Sequence, residues 1–271
     1  SNQVKMTIDK EAVLRTGTVS PEDAHLIVDA MEWTINKESI QKPEMMMLEI
    51  IANNNWQRPI YFVSTGGDSD IGISDYLQFE GFAYRLVPIK TKASDFLSIS
   101  RFNIDKLYRN YMEKFRWGRM NEPGVLIDHN IQRTAMVLRL RNNFGRLADE
   151  LLDAGKRDSA VKVLDRISEL LPQSKFPFDF FVIGHIETYY NANETEKAND
   201  LLNRYASATV ENLEYYFSLE KNYAKLISYE KELNLQILQE LVSTAKKYGQ
   251  STLSDELEPI LNNFIMLYYR G

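Results

Sequence analysis

Cysteine is missing from all 271 residues. Its absence removes disulfides, thiolate zinc sites, iron–sulfur clusters and cysteine nucleophiles together. Histidine is scarce: His25, His129 and His185 are the three in the chain. None has a second histidine at ligand spacing and no HExxH-type helix occurs, so they read as surface or packed side chains. No run approaches the roughly 20 apolar residues of a membrane helix. A basic excess is lacking too, with 32 Lys and Arg against 38 Asp and Glu and a net charge of −6. That balance argues against nucleic acid as a partner. The P-loop, the dinucleotide fingerprint and the nucleophile elbow are all absent, and no cofactor is expected.

What is present is ordinary globular composition, 44% apolar and 26% charged, enough for one or two packed units without a metal or disulfide staple. Residues 1–100 carry short β-type runs between turn signals. Val4–Ile8 and Met31–Ile35 alternate apolar and polar residues, as half-buried strands do. Ser20-Pro21-Glu22-Asp23 reads as a helix start with a serine cap. Pro43 opens a dense apolar run, Met45–Ala52, which predicts a helix buried on most sides, its methionines filling core. Further strands are expected over Pro59–Ser64 and Phe82–Val87. Together they predict a small mixed sheet with a packed helix.

From Asn103 onward the period becomes helical. Ile104, Leu107, Tyr108, Tyr111, Met112 and Phe115 share one face, and Asn103 is placed to cap it. After a loop over 116–127, helices follow in pairs, broken near Gly155, Pro172–Pro177, Asn191–Asn193 and Gly249. The tetratricopeptide template, a hairpin of about 34 residues, fits with its small central residue at Ala160. Phe144, Leu147, Ala148 and Leu151 then line the first helix, and Leu164 and Ile167 the second. A second unit centres on Ala198, with Val182, Ile186, Tyr189, Leu202 and Tyr205. It departs from the template at His185, where leucine is usual, and at Val210, where proline is. The extra spacing between the alanines matches an insertion over Gln173–Phe178. More helices are expected around 211–229, 233–248 and 254–268. The fold class is therefore α+β at the front, over 1–100, followed by a helical-repeat unit over 101–271 packed against it.

Chemistry is thinly signalled. Asp68 and Asp70, in Ser64–Asp70 after a predicted strand, form an Asp-X-Asp pair of the kind that holds a metal in many glycosyltransferases. The same pair on a turn also caps helices or stays solvated. Arg133, Arg139, Arg141 and Arg146 lie along one predicted helix and read as a salt-bridged face. Tyr76, Phe79, Phe82 and Tyr84 cluster in sequence; aromatics stack on sugars or peptides, though at helical spacing they more often fill cores.

Four stretches carry a family resemblance as a set: Asn53–Phe62 (NNNWQRPIYF), Tyr76–Pro88 (YLQFEGFAYRLVP), Phe115–Gly118 (FRWG) and Arg141–Ala148 (RNNFGRLA). In this order they resemble the C-terminal soluble region of a family of bacterial multi-pass membrane proteins. That family is catalogued as domain of unknown function number 2723 and is similar to protein O-mannosyltransferases. The resemblance implies a periplasmic domain whose glycosyl-transfer machinery lies in a membrane-embedded N-terminal part. No catalytic residue of the family carries over to this sequence. The start at Ser1-Asn2, without methionine, fits an excised piece. The expected role is non-catalytic binding of an acceptor protein, a glycan or a partner subunit, with Trp56, Tyr76, Glu80, Tyr84 and Arg85 as candidate binding residues. The alternative is an enzyme in its own right, metal-dependent and sugar-processing, that uses Asp68, Asp70 and Glu80.

Overall fold

The computed structural model describes residues 2–63, 71–91, 101–128, 130, 136–220 and 226–270. They fall into two compact units, Ser1–Phe115 and Arg116–Gly271.

In the first unit β1 (Gln3–Thr7) pairs antiparallel with β2 (Ala30–Thr34), placing Val4 opposite Trp33 and Met6 opposite Met31. Between them α1 (Lys10–Arg15) is capped by Asp9, whose carboxylate accepts from the Ala12 N–H at 3.0 Å. The predicted start at Ser20 opens a 3₁₀ turn, Pro21–Leu26, and the serine side chain makes no capping bond. Helix α2 (Lys42–Asn54) carries Pro43 in its first turn, and Glu44 reaches back to accept from the Gln41 N–H at 2.9 Å. It is not buried on most sides. Ile51 is enclosed, but Met45, Met46 and Ile50 are 61%, 56% and 57% exposed. The run holds more apolar residues than one docked face of a helix accommodates.

A second sheet has the order β3-β5-β4-β6, from β3 (Tyr61–Phe62), β4 (Leu77–Phe79), β5 (Tyr84–Leu86) and β6 (Arg101–Phe102). The pair β4–β6 is parallel and the others antiparallel. The runs expected over Pro59–Ser64 and Phe82–Val87 supply β3 and β5 of this small mixed sheet, whereas the alternating runs Val4–Ile8 and Met31–Ile35 form the separate β1–β2 pair. The core beneath it gathers Val13, Met31, Ile35, Ile71, Tyr76, Leu77, Leu86 and Val87. Helix α3 (Ile104–Arg109) is capped by Asn103 and runs into one π-helical turn over Asn110–Lys114. Asn110 donates to the Glu80 carbonyl at 2.9 Å and Tyr111 to the Gly81 carbonyl at 3.3 Å. These bonds hold α3 in the first unit, so the unit boundary falls after α3 rather than before it.

The second unit is helical: α4 (Val137–Asp153), α5 (Arg157–Leu170), α6 (Phe181–Asn191), α7 (Thr195–Ser218), α8 (Ser228–Lys247) and α9 (Ser251–Arg270). Helix α4 packs on α5 and α6, α6 on α7, α7 on α8 and α9, and α8 on α9. This is the neighbour order of stacked hairpins. Phe144, Leu147, Ala148, Leu151, Ala160, Leu164 and Ile167 are all buried. Gly155, Asn193 and Gly249 end helices with φ of 71°, 55° and 70°, left-handed positions that glycine and asparagine tolerate. The helix expected to begin near 211 does not: α7 runs unbroken to Ser218. No glycine or proline interrupts it, and its buried stripe of Leu202, Tyr205, Thr209 and Leu213 continues past Val210.

The insertion after Pro172 also has a physical account. Arg141 is not on a solvated face; it is 3% exposed and grips the insertion. Its guanidinium donates to the Phe176 carbonyl at 2.8 Å, the Pro177 carbonyl at 2.7 Å and the Asp179 carboxylate at 2.5 Å. His185, in the leucine position, sets Nε2 at 2.8 Å from the Arg141 carbonyl. Gly145 gives it room, because a Cβ there would lie 3.0 Å from the ring.

Candidate functional site

Strand register sorts the second sheet into two chemistries. Tyr61 pairs with Arg85, Arg85 with Gln78, and Gln78 with Arg101, a polar row across all four strands. The adjacent row is Phe62, Tyr84, Phe79 and Phe102, and successive residues face opposite sides of a sheet. In the aromatic row the Phe79 ring lies 5.2 Å from Tyr84 and 5.7 Å from Phe102. Phe62 and Tyr84 pack against the core, so the polar row faces the other way, toward α3.

Glu80, two residues beyond Gln78 and thus on the polar face, is the centre of that face. One carboxylate oxygen accepts from Lys106 Nζ at 2.6 Å and Gln78 Nε2 at 3.0 Å, with Arg85 at 3.9 Å. The other accepts from the Tyr61 hydroxyl at 2.8 Å. Gln78 in turn accepts from Arg101 Nε at 3.3 Å, and Arg101 donates to Asp23 at 2.6 Å. Burial lowers the Lys106 pKa from its ordinary value, and the hydrogen bond from Lys106 to Glu80 opposes that shift. Burial, then the Glu80 bond, pushes the Tyr61 phenol up to about 12. Glu80 sits where it does because the β4–β5 turn is tight: its N–H donates to the Ala83 carbonyl at 3.0 Å. Gly81 adopts φ 115° there, and a Cβ would come within 2.6 Å of the Phe115 ring.

The row opens on a groove of about 480 Å³. Its lining includes Thr18, Ser20, Glu22 and Asp23, Gln78 and Ile89, and Arg101, Phe102, Asn103, Asp105, Lys106, Arg109 and Lys114. Hydroxyls, amides, carboxylates, cations and one ring therefore share a single concave surface. The donors on its carboxylate tie Glu80 to Tyr61, Gln78 and Lys106.

The candidate residues separate in this frame. Glu80 and Arg85 come together, with Tyr61, Gln78, Arg101, Lys106 and Asp23 as members that spacing did not single out. Tyr84 lies on the opposite, core-facing side. Tyr76 is 1% exposed, and its hydroxyl accepts from the Glu32 N–H at 2.9 Å. Trp56 is buried at 8% exposure, with φ 60° following the α2 cap at Asn55. Asp68 and Asp70 lie outside the described residues. Among the described residues no group of three or more His, Asp or Glu is placed to hold a metal ion, and no helix is long and apolar enough to cross a membrane.

Residues 1–106 match the family described as TMEM260-associated domain 2. The chain is thus similar over its first unit to a domain of TMEM260-related membrane proteins, and the match takes in the sheet, its polar row and Lys106. No curated protein and no solved structure matches the chain.

Proposed function

We propose that this chain is a non-catalytic, extramembrane part of a glycosyltransferase-like membrane protein, and that the polar groove of its first unit binds a glycan. The carrying observation is the lining of that groove. Sugar hydroxyls both donate and accept, and Thr18, Ser20, Asn103, Glu22, Asp105 and Arg109 offer both partners within one concavity. A cationic phosphate clamp would lack the three carboxylates that share these walls. The match to a membrane-protein domain supports the parent class. In this reading the chain faces the periplasm, beside the membrane-embedded N-terminal part of the same protein, and the hairpins of the second unit are tetratricopeptide-like protein-binding surfaces.

The test is a melting-temperature screen against neutral di- and trisaccharides. Stabilisation by a saccharide, lost in the double substitution Glu22→Ala with Arg109→Ala, is the expected result. No shift with any saccharide removes the reading. Stabilisation instead by a divalent metal with a nucleotide sugar, lost in Asp68→Ala and Asp70→Ala, replaces it with the metal-dependent enzyme.

A further inference from the structure

The second unit carries a cleft apart from the glycan groove, and the inference drawn from it rests on the protein-binding role proposed for its hairpins. Residues of α5, α6 and α7 line it. One compartment of about 320 Å³ is lined by Ile167, Leu171, Pro172, Phe178, Val182, Leu201 and His185. It opens through shared Ser168, Leu201 and Arg204 into a second of about 520 Å³. Asp165, Glu169, Glu196 and Asp200 line it with Lys197 and Arg204, and Glu169 is paired outside that lining with Arg166 at 3.1 Å. Lys197 is paired with Asp165 at 2.7 Å and Arg204 with Asp200 at 2.9 Å. Glu196 has no ion pair among the described residues, so the compartment keeps an uncompensated negative charge.

His185 supplies an independent pointer. It is 4% exposed, and its Nε2 meets a carbonyl oxygen, which only accepts. The proton therefore sits on Nε2, and Nδ1 is a bare acceptor. No hydrogen bond to Nδ1 occurs among the described residues. The Nε2–Cδ2 edge of the ring faces Gly145 on α4, which turns Nδ1 away from α4, in a side chain that lines the cleft. An unpaired acceptor in the wall of a cleft can receive a donor brought by a ligand.

From this arrangement we infer that the α5–α7 cleft docks an extended, basic peptide segment. An apolar side chain enters the Phe178 compartment, a donor of the peptide meets His185 Nδ1, and a Lys or Arg lies beside Glu196. The mixed lining requires both halves: an apolar anchor for area and a cation for the charge.

The test uses the full chain and two labelled synthetic peptides, one alternating leucine with lysine and the other leucine with glutamate, followed by fluorescence anisotropy. The lysine peptide should bind about tenfold or more tightly than the glutamate peptide at low salt, with the gap narrowing as salt rises. Glu196→Lys with Asp200→Lys, both exposed positions, should erase or reverse that preference. His185→Leu, the residue usual at this place in the hairpin template, should weaken binding of the lysine peptide while the fold persists. If His185→Leu does not fold, the charge reversal decides alone. Equal binding of the two peptides, or a preference untouched by the charge reversal, overturns the proposal.

Discussion

Glu80 in the first unit and Arg141 in the second are charged side chains buried at structural junctions, and the two are satisfied in opposite ways. Glu80 is held by side chains from three separate places, Tyr61 on β3, Gln78 on β4 and Lys106 on α3. Arg141 is held mostly by backbone, two carbonyls of one loop plus Asp179. The first arrangement ties distant elements together and leaves cations along an open groove. The second pins a single connection between hairpins and lines a cleft. A side-chain network can be retuned residue by residue, whereas a backbone grip depends wholly on the one arginine.

The sharpest way to break the comparison is Arg141→Met. It strands Asp179 and two carbonyls beside an apolar chain, and a cost of about 4 kcal/mol in urea unfolding is expected. Glu80→Gln should cost less, about 2–3 kcal/mol, because Lys106 is partly exposed and can turn to water. Equal losses for the two would remove the distinction between backbone grip and side-chain network.

A pH titration sharpens it further. Burial holds the His185 pKa down, at about 4 against an ordinary 6.5. The unfolded chain then binds more protons between those values, so this contribution is full above pH 6.5 and fades as pH falls toward 4. The full contribution is about 3 kcal/mol at most. Burial raises the Asp179 pKa, with Arg141 opposing, and its raised value works the other way. The difference in slope between the native chain and His185→Leu isolates the histidine; identical slopes would show that it does not titrate as stated. Smallest of all, Tyr76→Phe should cost about 1–2 kcal/mol, because the hydroxyl accepts from the Glu32 N–H and donates to the Glu32 carbonyl at 3.3 Å. A measured loss of binding without that loss of stability would return Tyr76 to the ligand side.

Legibility differed between the units for a physical reason. Helical hairpins are built from local contacts, so the spacing of Phe144, Leu147, Ala148 and Leu151 announces its own burial. Even the departures from the repeat, at His185 and after Pro172, were visible, though not that they meet one another through Arg141. The Met45–Ala52 run misled because apolar density says a helix is there but not how much of its surface meets a partner. Glu80 and Arg85 were two of five candidates named with the resemblance; Tyr61, Arg101 and Asp23 were not, because no local period links them to the site.

Sequence alone determined the two textures of the chain, the strands by their alternation and the helices by their three-and-four spacing, since both follow from backbone geometry within a few residues. The tertiary structure decided which polar residues face each other: register aligned Tyr61, Arg85, Gln78 and Arg101, and α3 delivered Lys106 to Glu80. Those partners lie up to 78 residues apart, as Asp23 and Arg101 do. Only closure of the sheet and docking of its helix bring them within hydrogen-bond reach.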